Sequence, residues 1–247
     1  MEVMDLLRER KSVRTFLDKK IDDDIKDLLY EAAFEAPTAG CQMFYSIIEV
    51  KDERKKEVLA KACDSQMWLA KAPLVLVFVA DNRRWNDLYR AYGLKPREPR
   101  LGDLWLALSD ANIAAENMVI AAESLGLGSC YIGDVIERHE IVKDLLELPD
   151  EVVPACMLVI GYPDAKAKDR TKPRRFAKGY IVHQDAYHIQ SADDHKKYYE
   201  GHFIKTDKEI DYKDTLKKFM EFKYESDFSK EMSRSARLYF APFLKDE

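Results

Sequence analysis

Residues 8–16 read RERKSVRTF, and Arg8, Arg10, Lys11, Ser12 and Arg14 load this short stretch with hydrogen-bond donors. Such a set suits a phosphate monoester, which is compact and roughly dianionic. Arginine offers it a fork of N–H donors, and serine adds a hydroxyl. Alternate residues of an extended segment project to the same side, so Arg10, Ser12 and Arg14 converge if the chain leaves its helix here. A basic helix C-terminus complementing its own dipole accounts for the same residues. Three further stretches invite a ligand. In EAPTAGCQMF (35–44) a helix stops at Pro37, and small residues let backbone groups approach a flat molecule, or simply form a helix-to-strand loop. In ESLGLGSCYIG (123–133) a glycine-rich turn leads to a strand ending at Gly133, again exposing backbone, or merely capping a helix before an edge strand. Arg174 and Arg175 follow a proline and offer more phosphate contacts, or a solvated linker.

The remaining composition limits the choices. Net charge is −5 over 247 residues, so a general nucleic-acid surface is not expected and any basic site is local. An apolar fraction of 47% supports a proper core. Cys41, Cys63, Cys130 and Cys156 show no CxxC pairing, which argues against a zinc site or disulfide scaffold and for reduced thiols in the cytoplasm. The opening MEVMDLLRERK is not a secretory signal, and no apolar run approaches the ~20 residues of a membrane span.

The elements that must position these residues alternate. Helices are expected over VMDLLRER and DDDIKDLLYEAAFEA, where Ile25, Leu28, Leu29, Ala32 and Ala33 form one stripe. YSIIEV is a strand, DERKKEVLAKA a helix, and LVLVFVA (74–80) a central strand, apolar on both faces. Residues 81–103, rich in Arg, Tyr and Pro, read as an excursion offering Trp85, Tyr89, Tyr92 and Trp105 for stacking or for packing. DLWLALSDANIAAENMVIAAES is apolar or small almost all round and reads as a buried helix. SCYIG and CMLVIGY are strands, with the helix ERHEIVKDLLEL between them, and GYIVHQ (179–184) is a last short strand. Beyond about residue 190 the chain is polar, helical and aromatic-flecked. The pattern predicts a mixed α/β sheet. No G-x-G-x-x-G follows the first strand and no P-loop sequence occurs, so phosphate binding needs another device.

As an ordered set, RKSVRTF (10–16), APTAGCQMFYSI (36–47), DSQMWLAKAPLVLVFVAD (64–81), DANIAAENMVIAAESLGLGSCYIG (110–133) and PRRFAKGYIVH (173–183) resemble the FMN-dependent nitroreductase family. The resemblance covers residues 1 to about 190. It implies an α+β fold, with a mixed, mostly antiparallel central sheet flanked by helices. It also implies a two-fold homodimer with the long helix at the interface. Residues 1–190 would form the FMN-binding domain and 191–247 a helical extension packing on the core or the partner. Carried over by position, Arg10, Ser12 and Arg14 hold the FMN phosphate and approach the ring edge, with Lys11 between them also in reach. Pro37, Thr38, Ala39 and Gly40 form the turn beneath the isoalloxazine, reached from the partner subunit. Tyr131, Ile132 and Gly133 bring backbone to the flavin, Arg174 and Arg175 lie near the phosphate, and Gln66 touches the ring or ribityl chain. One departure stands out: many relatives carry Asn where this chain has Cys41, and cysteine lacks the amide's donor and acceptor pair, although Gln42 is adjacent.

In such enzymes the flavin carries the chemistry, so no catalytic side chain and no metal is required. The resemblance implies a ping-pong reaction. NAD(P)H gives hydride to FMN and leaves, and a small-molecule acceptor such as a nitroaromatic or quinone is then reduced. Arg14 would act as an electrostatic stabiliser. Two alternatives remain: a specialised flavin enzyme of dehalogenase or flavin-fragmenting type, and a flavin-binding dimer without turnover.

Overall fold

A computed structural model describes residues 2–202 and 210–244. The chain forms two compact units. One holds the described residues up to Arg170 together with those from Asp227 onward, and the other holds the described residues of Thr171–Ser226. This partition by compactness does not follow the expected boundary at residue 190.

The first unit is built on four strands in the order β1-β2-β4-β3: β1 (Tyr45–Glu49), β2 (Leu74–Asp81), β3 (Gly128–Ile132) and β4 (Val152–Gly161). Each neighbouring pair is antiparallel. Among the described residues parallel pairing is limited to the single bridge Ser12–Ser129, so the expected mixed sheet is an antiparallel one with one added bridge. β2 is central, as its unbroken apolar run requires. Leu74, Leu76 and Phe78 enter the core beneath α2 (Asp23–Phe34) and α5 (Leu101–Ser124). Val75, Val77 and Val79 enter the opposite core with α3 (Glu53–Ala62) and α6 (His139–Leu146). That division is the two-residue period of a strand covered on both faces.

α5 is the longest helix described, and one side of it is dense with Ala107, Ala111, Ala114, Ala115 and Met118. Small residues there let it lie close against the sheet. The expectation of burial all round fails in the single chain, because Trp105 is 72% exposed and Leu106 and Ile113 are also open. The inward set recurs every three or four residues, so the remaining apolar positions necessarily face outward. α1 (Val3–Glu9) precedes the basic segment, and the short helices α4 (Arg84–Ala91) and α7 (Ala165–Asp169) follow β2 and β4. At the end of the chain, α11 (Asp227–Phe240) puts Tyr239 into a third core with Leu104, Ala107 and Val153.

The second unit contains α8 (Lys178–Ile181), α9 (Ala192–His202) and α10 (Tyr212–Met220), and no strand among the described residues. The expected strand at 179–184 is therefore a helical turn followed by extended backbone. Side-chain packing decides it: the Tyr180 ring sits 5.0 Å from Phe176 and 4.9 Å from Tyr198, and among the described residues of the unit there is no strand to pair with.

Candidate flavin site

The basic segment leaves α1 at Arg10 and becomes extended. Val13 N–H donates to the Ser129 carbonyl at 2.8 Å, and Phe16 bridges to Pro163. This docking is close enough that a Cβ on Gly128 would meet Val13 at 2.5 Å, so glycine is required there. Thr15 Oγ1 donates to Asp164 at 2.7 Å. The Lys11 ammonium donates to the Lys168 carbonyl and, at 2.7 Å, to that of Arg170. The Lys11 side chain is thus occupied in tethering the segment, while its neighbours on either side point elsewhere.

Ser12 bridges to Ser129, which lays the basic segment beside Cys130 of β3. Burial pushes the Cys130 thiol on β3 up in pKa, and Arg14, a hydrogen bond with Ser12, Arg10 and Arg170 all oppose that shift. These four side chains, contributed from both ends of the first unit's N-terminal portion, form an electropositive cluster at β3. Arg170 has no counterpart among the sequence-based candidates. Next along the strand, the Tyr131 hydroxyl is raised by burial and by the negative charge of Glu116 of α5, with Arg10 opposing. Ile132 is buried, and the exposed Gly133 begins a single turn whose Val135 is buried. Gln66 Nε2 donates to Asp134 Oδ2 at 2.5 Å, which fixes its amide beside that turn. Arg174 and Arg175 are exposed in the second unit, where Arg175 Nη1 donates to the Pro173 carbonyl at 3.1 Å.

The turn after α2 is held differently. Gly40, Cys41 and Met43 all have left-handed backbone, with φ of 56°, 57° and 50°. Glycine adopts this freely, but a residue with a Cβ pays roughly 1–2 kcal/mol. Two anchors keep the turn in place, the buried Asp110 and the exposed Arg84. From α5, Asp110 accepts from the Thr38 hydroxyl, from Ala39 N–H at 3.0 Å and from Phe44 N–H at 3.2 Å. From α4, Arg84 donates to the Met43 carbonyl at 3.1 Å, the Tyr45 carbonyl at 2.8 Å and Ser46 Oγ at 2.7 Å. Trp85 adds its indole N–H to the Gln42 carbonyl at 2.8 Å. Sequence reading missed Asp110 and Arg84. Asp110 did carry a signal: an acid in register with Ala107, Ala111 and Ala114 sits on the buried face, where a carboxylate needs partners.

Beside Gln42 lies a cavity of about 540 Å³, walled in part by Phe44, Asn82, Trp85, Tyr89 and Arg97. Trp85 and Tyr89 stand with ring centroids 5.9 Å apart. Of the four aromatics expected to stack, these two line the cavity, whereas Tyr92 and Trp105 are not in its wall. Arg97 is held by Asp103 at 2.6 and 2.9 Å, a fork that keeps the Asp103 carboxyl below the usual range.

An antiparallel four-stranded sheet backed by a long helix, with a cationic cluster at β3, matches a known group of proteins. Residues 7–162 match the nitroreductase family model, and the chain belongs to that family. It is 33% identical over 192 residues to the FMN reductase (NADPH) of Bacillus subtilis, spanning 77% of this chain and 76% of the relative. It is also 33% identical over 209 residues to a second B. subtilis protein, FMN reductase [NAD(P)H], spanning 80% and 82%. The solved structure of the NfrA1 nitroreductase from B. subtilis superposes with a TM-score of 0.77 at 28% identity, covering 94% of this chain and 98% of that one.

Proposed function

We propose that this chain is an FMN-dependent oxidoreductase that uses NAD(P)H to reduce conjugated electrophilic acceptors. The observation that carries the reading is the docking of the basic segment along β3: Ser12 bridges to Ser129, Val13 N–H binds the Ser129 carbonyl and the Lys11 ammonium binds the Arg170 carbonyl, which brings Arg10, Ser12, Arg14 and Arg170 to the strand that leads to Gly133. Three guanidinium groups and a hydroxyl fit a terminal phosphate in number and chemistry. Tyr131, Ile132 and Gly133 would then lie alongside the ring system, and Arg14 would stabilise negative charge on it. Gln66, fixed by Asp134, and the turn at 37–40 complete the set, with Arg174 and Arg175 assigned to the phosphate end. When bound, FMN supplies the hydride chemistry, and the protein orients it and limits what can approach.

The exposed Leu106 and Ile113 on α5, with Val3 and Met4 on α1, support a homodimer in which a second copy covers these faces. The cavity beside Gln42 suits a flat acceptor, a quinone or nitroaromatic, stacked near Trp85 and Tyr89. Asp103 offsets the charge of Arg97 in its wall, where Lys95 adds a further cation. No described helix is long and apolar enough to cross a membrane, and the four thiols are free, in keeping with a cytoplasmic enzyme.

The test is cofactor release followed by anaerobic reduction. Heat-released chromophore should chromatograph as FMN at about one per subunit. NADH or NADPH should bleach the holoprotein, and a quinone or nitroaromatic should restore its colour. FAD, or no flavin uptake on reconstitution, overturns the reading. A flavin that neither nicotinamide reduces leaves a binding dimer without turnover.

A further inference from the structure

Several polar side chains in the wall of the 540 Å³ cavity are already spent within the protein. Trp85 gives its indole N–H to the Gln42 carbonyl, Asn86 Nδ2 donates to the Arg97 carbonyl at 3.2 Å, and Arg97 is forked onto Asp103. Asn82 is different. It follows directly on β2, where its backbone N–H donates to the Glu151 carbonyl at 3.1 Å. The neighbouring Asp81 carboxylate is taken by Ser46 Oγ and by the N–H groups of Arg83 and Arg84. Asn82 is 5% exposed and stands in the cavity wall, yet its Nδ2 is buried with no hydrogen-bond partner among the described residues. Gln42, Tyr89 and Lys95 also line the cavity, but none of them is buried, so water can serve them. A buried amide left without an acceptor is costly, and an apolar residue of similar size would avoid the cost.

Resting on the oxidoreductase reading above, we infer that Asn82 is the specificity-determining residue of the acceptor cavity, and that its Nδ2 donates to a carbonyl or nitro oxygen carried by a flat conjugated ring. The wall supplies both halves of such a site. Trp85 and Tyr89 offer faces on which the ring packs, and Phe44 adds apolar surface. The amide then fixes which edge of the ring turns inward. A site built to hydrogen-bond an oxygen rejects an analogue without it, because the buried NH2 is again left with nothing. The contact also strengthens during reaction. A quinone takes hydride from the reduced flavin, which is thereby oxidised, and a proton from water, and becomes a hydroquinone. Negative charge grows on the carbonyl oxygens on the way, and an N–H donor holds that charge more tightly than it holds the neutral carbonyl.

The inference is tested by equilibrium binding and by reoxidation kinetics on the intact holoprotein. A quinone does not react with the oxidised form, so binding can be read without turnover. In the 15N-labelled oxidised holoprotein the side-chain NH2 signals of Asn82 should move downfield on saturation with 1,4-naphthoquinone, the mark of a new hydrogen bond, and should not do so with naphthalene, which has the same ring system without the oxygens. Asn82→Leu keeps the size of the side chain and removes the donor. It should weaken naphthoquinone by about tenfold and naphthalene not at all. It should also slow reoxidation of the reduced holoprotein by naphthoquinone by at least about tenfold. An unaltered chain that is reoxidised by naphthoquinone but leaves the Asn82 signals in place, or an Asn82→Leu chain that weakens both ring systems equally or neither, overturns the inference alone. An unaltered chain that takes up no FMN, or whose reduced form naphthoquinone does not reoxidise, overturns the functional reading and the inference with it. If Asn82→Leu does not fold, the signals of the unaltered chain still decide the matter.

Discussion

The basic segment at 10–14 and the turn at 37–44 are both aimed at the same proposed ligand, yet they are built on opposite plans. The basic segment is a short extended piece fastened by Val13 N–H, Thr15 and Lys11, while Arg10, Ser12 and Arg14 remain at the working surface. Its side chains do the recognising and its backbone does the fastening. In the turn the roles are exchanged. Backbone is what faces outward, and the side chains of Thr38, Asp110, Arg84 and Trp85 do the fastening from behind. A charged side chain can find an anion with modest positional accuracy, because Coulomb attraction falls off slowly. A single N–H must be aimed within a narrow cone. The turn therefore needs remote side-chain anchors, one of them the buried Asp110, where the segment needs a few backbone bonds.

The largest expected effect lies in the turn. Asp110→Ala leaves the half-buried Ala39 N–H and Phe44 N–H without their acceptor. At roughly 1–3 kcal/mol for each orphaned group, the chain should lose about 2–6 kcal/mol of stability in urea unfolding. A loss under about 1 kcal/mol would mean that the turn does not depend on its anchor, and the contrast between the two regions would collapse.

Next comes the segment. Arg10→Ala should leave the fold intact and weaken FMN by on the order of tenfold to a hundredfold, since a charge-assisted hydrogen bond is worth roughly 1.5–3 kcal/mol. Riboflavin, which lacks the phosphate, should bind Arg10→Ala as it binds the unaltered chain. Equal weakening of both flavins would remove the phosphate assignment and make the segment resemble the turn.

Cys41→Asn sharpens the contrast from the stabilising side. Asn tolerates left-handed backbone better than Cys, so the exposed position with φ of 57° should gain a fraction of 1 kcal/mol or so. Its amide should also tighten flavin binding, because it supplies the donor and acceptor pair that cysteine lacks. A drop in thermal midpoint would show that Cys41 is not strained.

The smallest effect is a control away from both regions. Arg234 on α11 forks onto Glu140 at 2.8 and 2.9 Å, and this arginine holds the Glu140 carboxyl down to about 2. A carboxyl lowered on folding contributes stability above its unfolded pKa, close to 4.5, and loses it as pH falls toward 2. The pair is exposed, so Arg234→Ala should lower the thermal midpoint only slightly at neutral pH. The difference should vanish on acidification through that window, and a difference that grows toward low pH would reverse the sign.

The sequence by itself determined the strand β2, the long helix, the break at Pro37 and the alternating cations and hydroxyl of the basic segment, because each is written in neighbouring residues. An apolar run of strand length, a helical period of small residues and three alternating Arg, Ser and Arg positions are local patterns. It also carried the family resemblance that the matched relatives support. Tertiary structure alone decided three things. It brought Asp110 of α5 to the turn 72 positions away from Thr38 and Arg170 to the basic segment, and it spent the Lys11 ammonium on two carbonyls. It made the 179–184 stretch a helical turn, since pairing as a strand needs an edge and the local sequence does not say whether one is near. It left one side of α5 open, where composition asked for burial. The physical reason is common to all three: a donor, an acceptor or an apolar face is specified by its own residue, but its partner is specified only by the path of the folded chain.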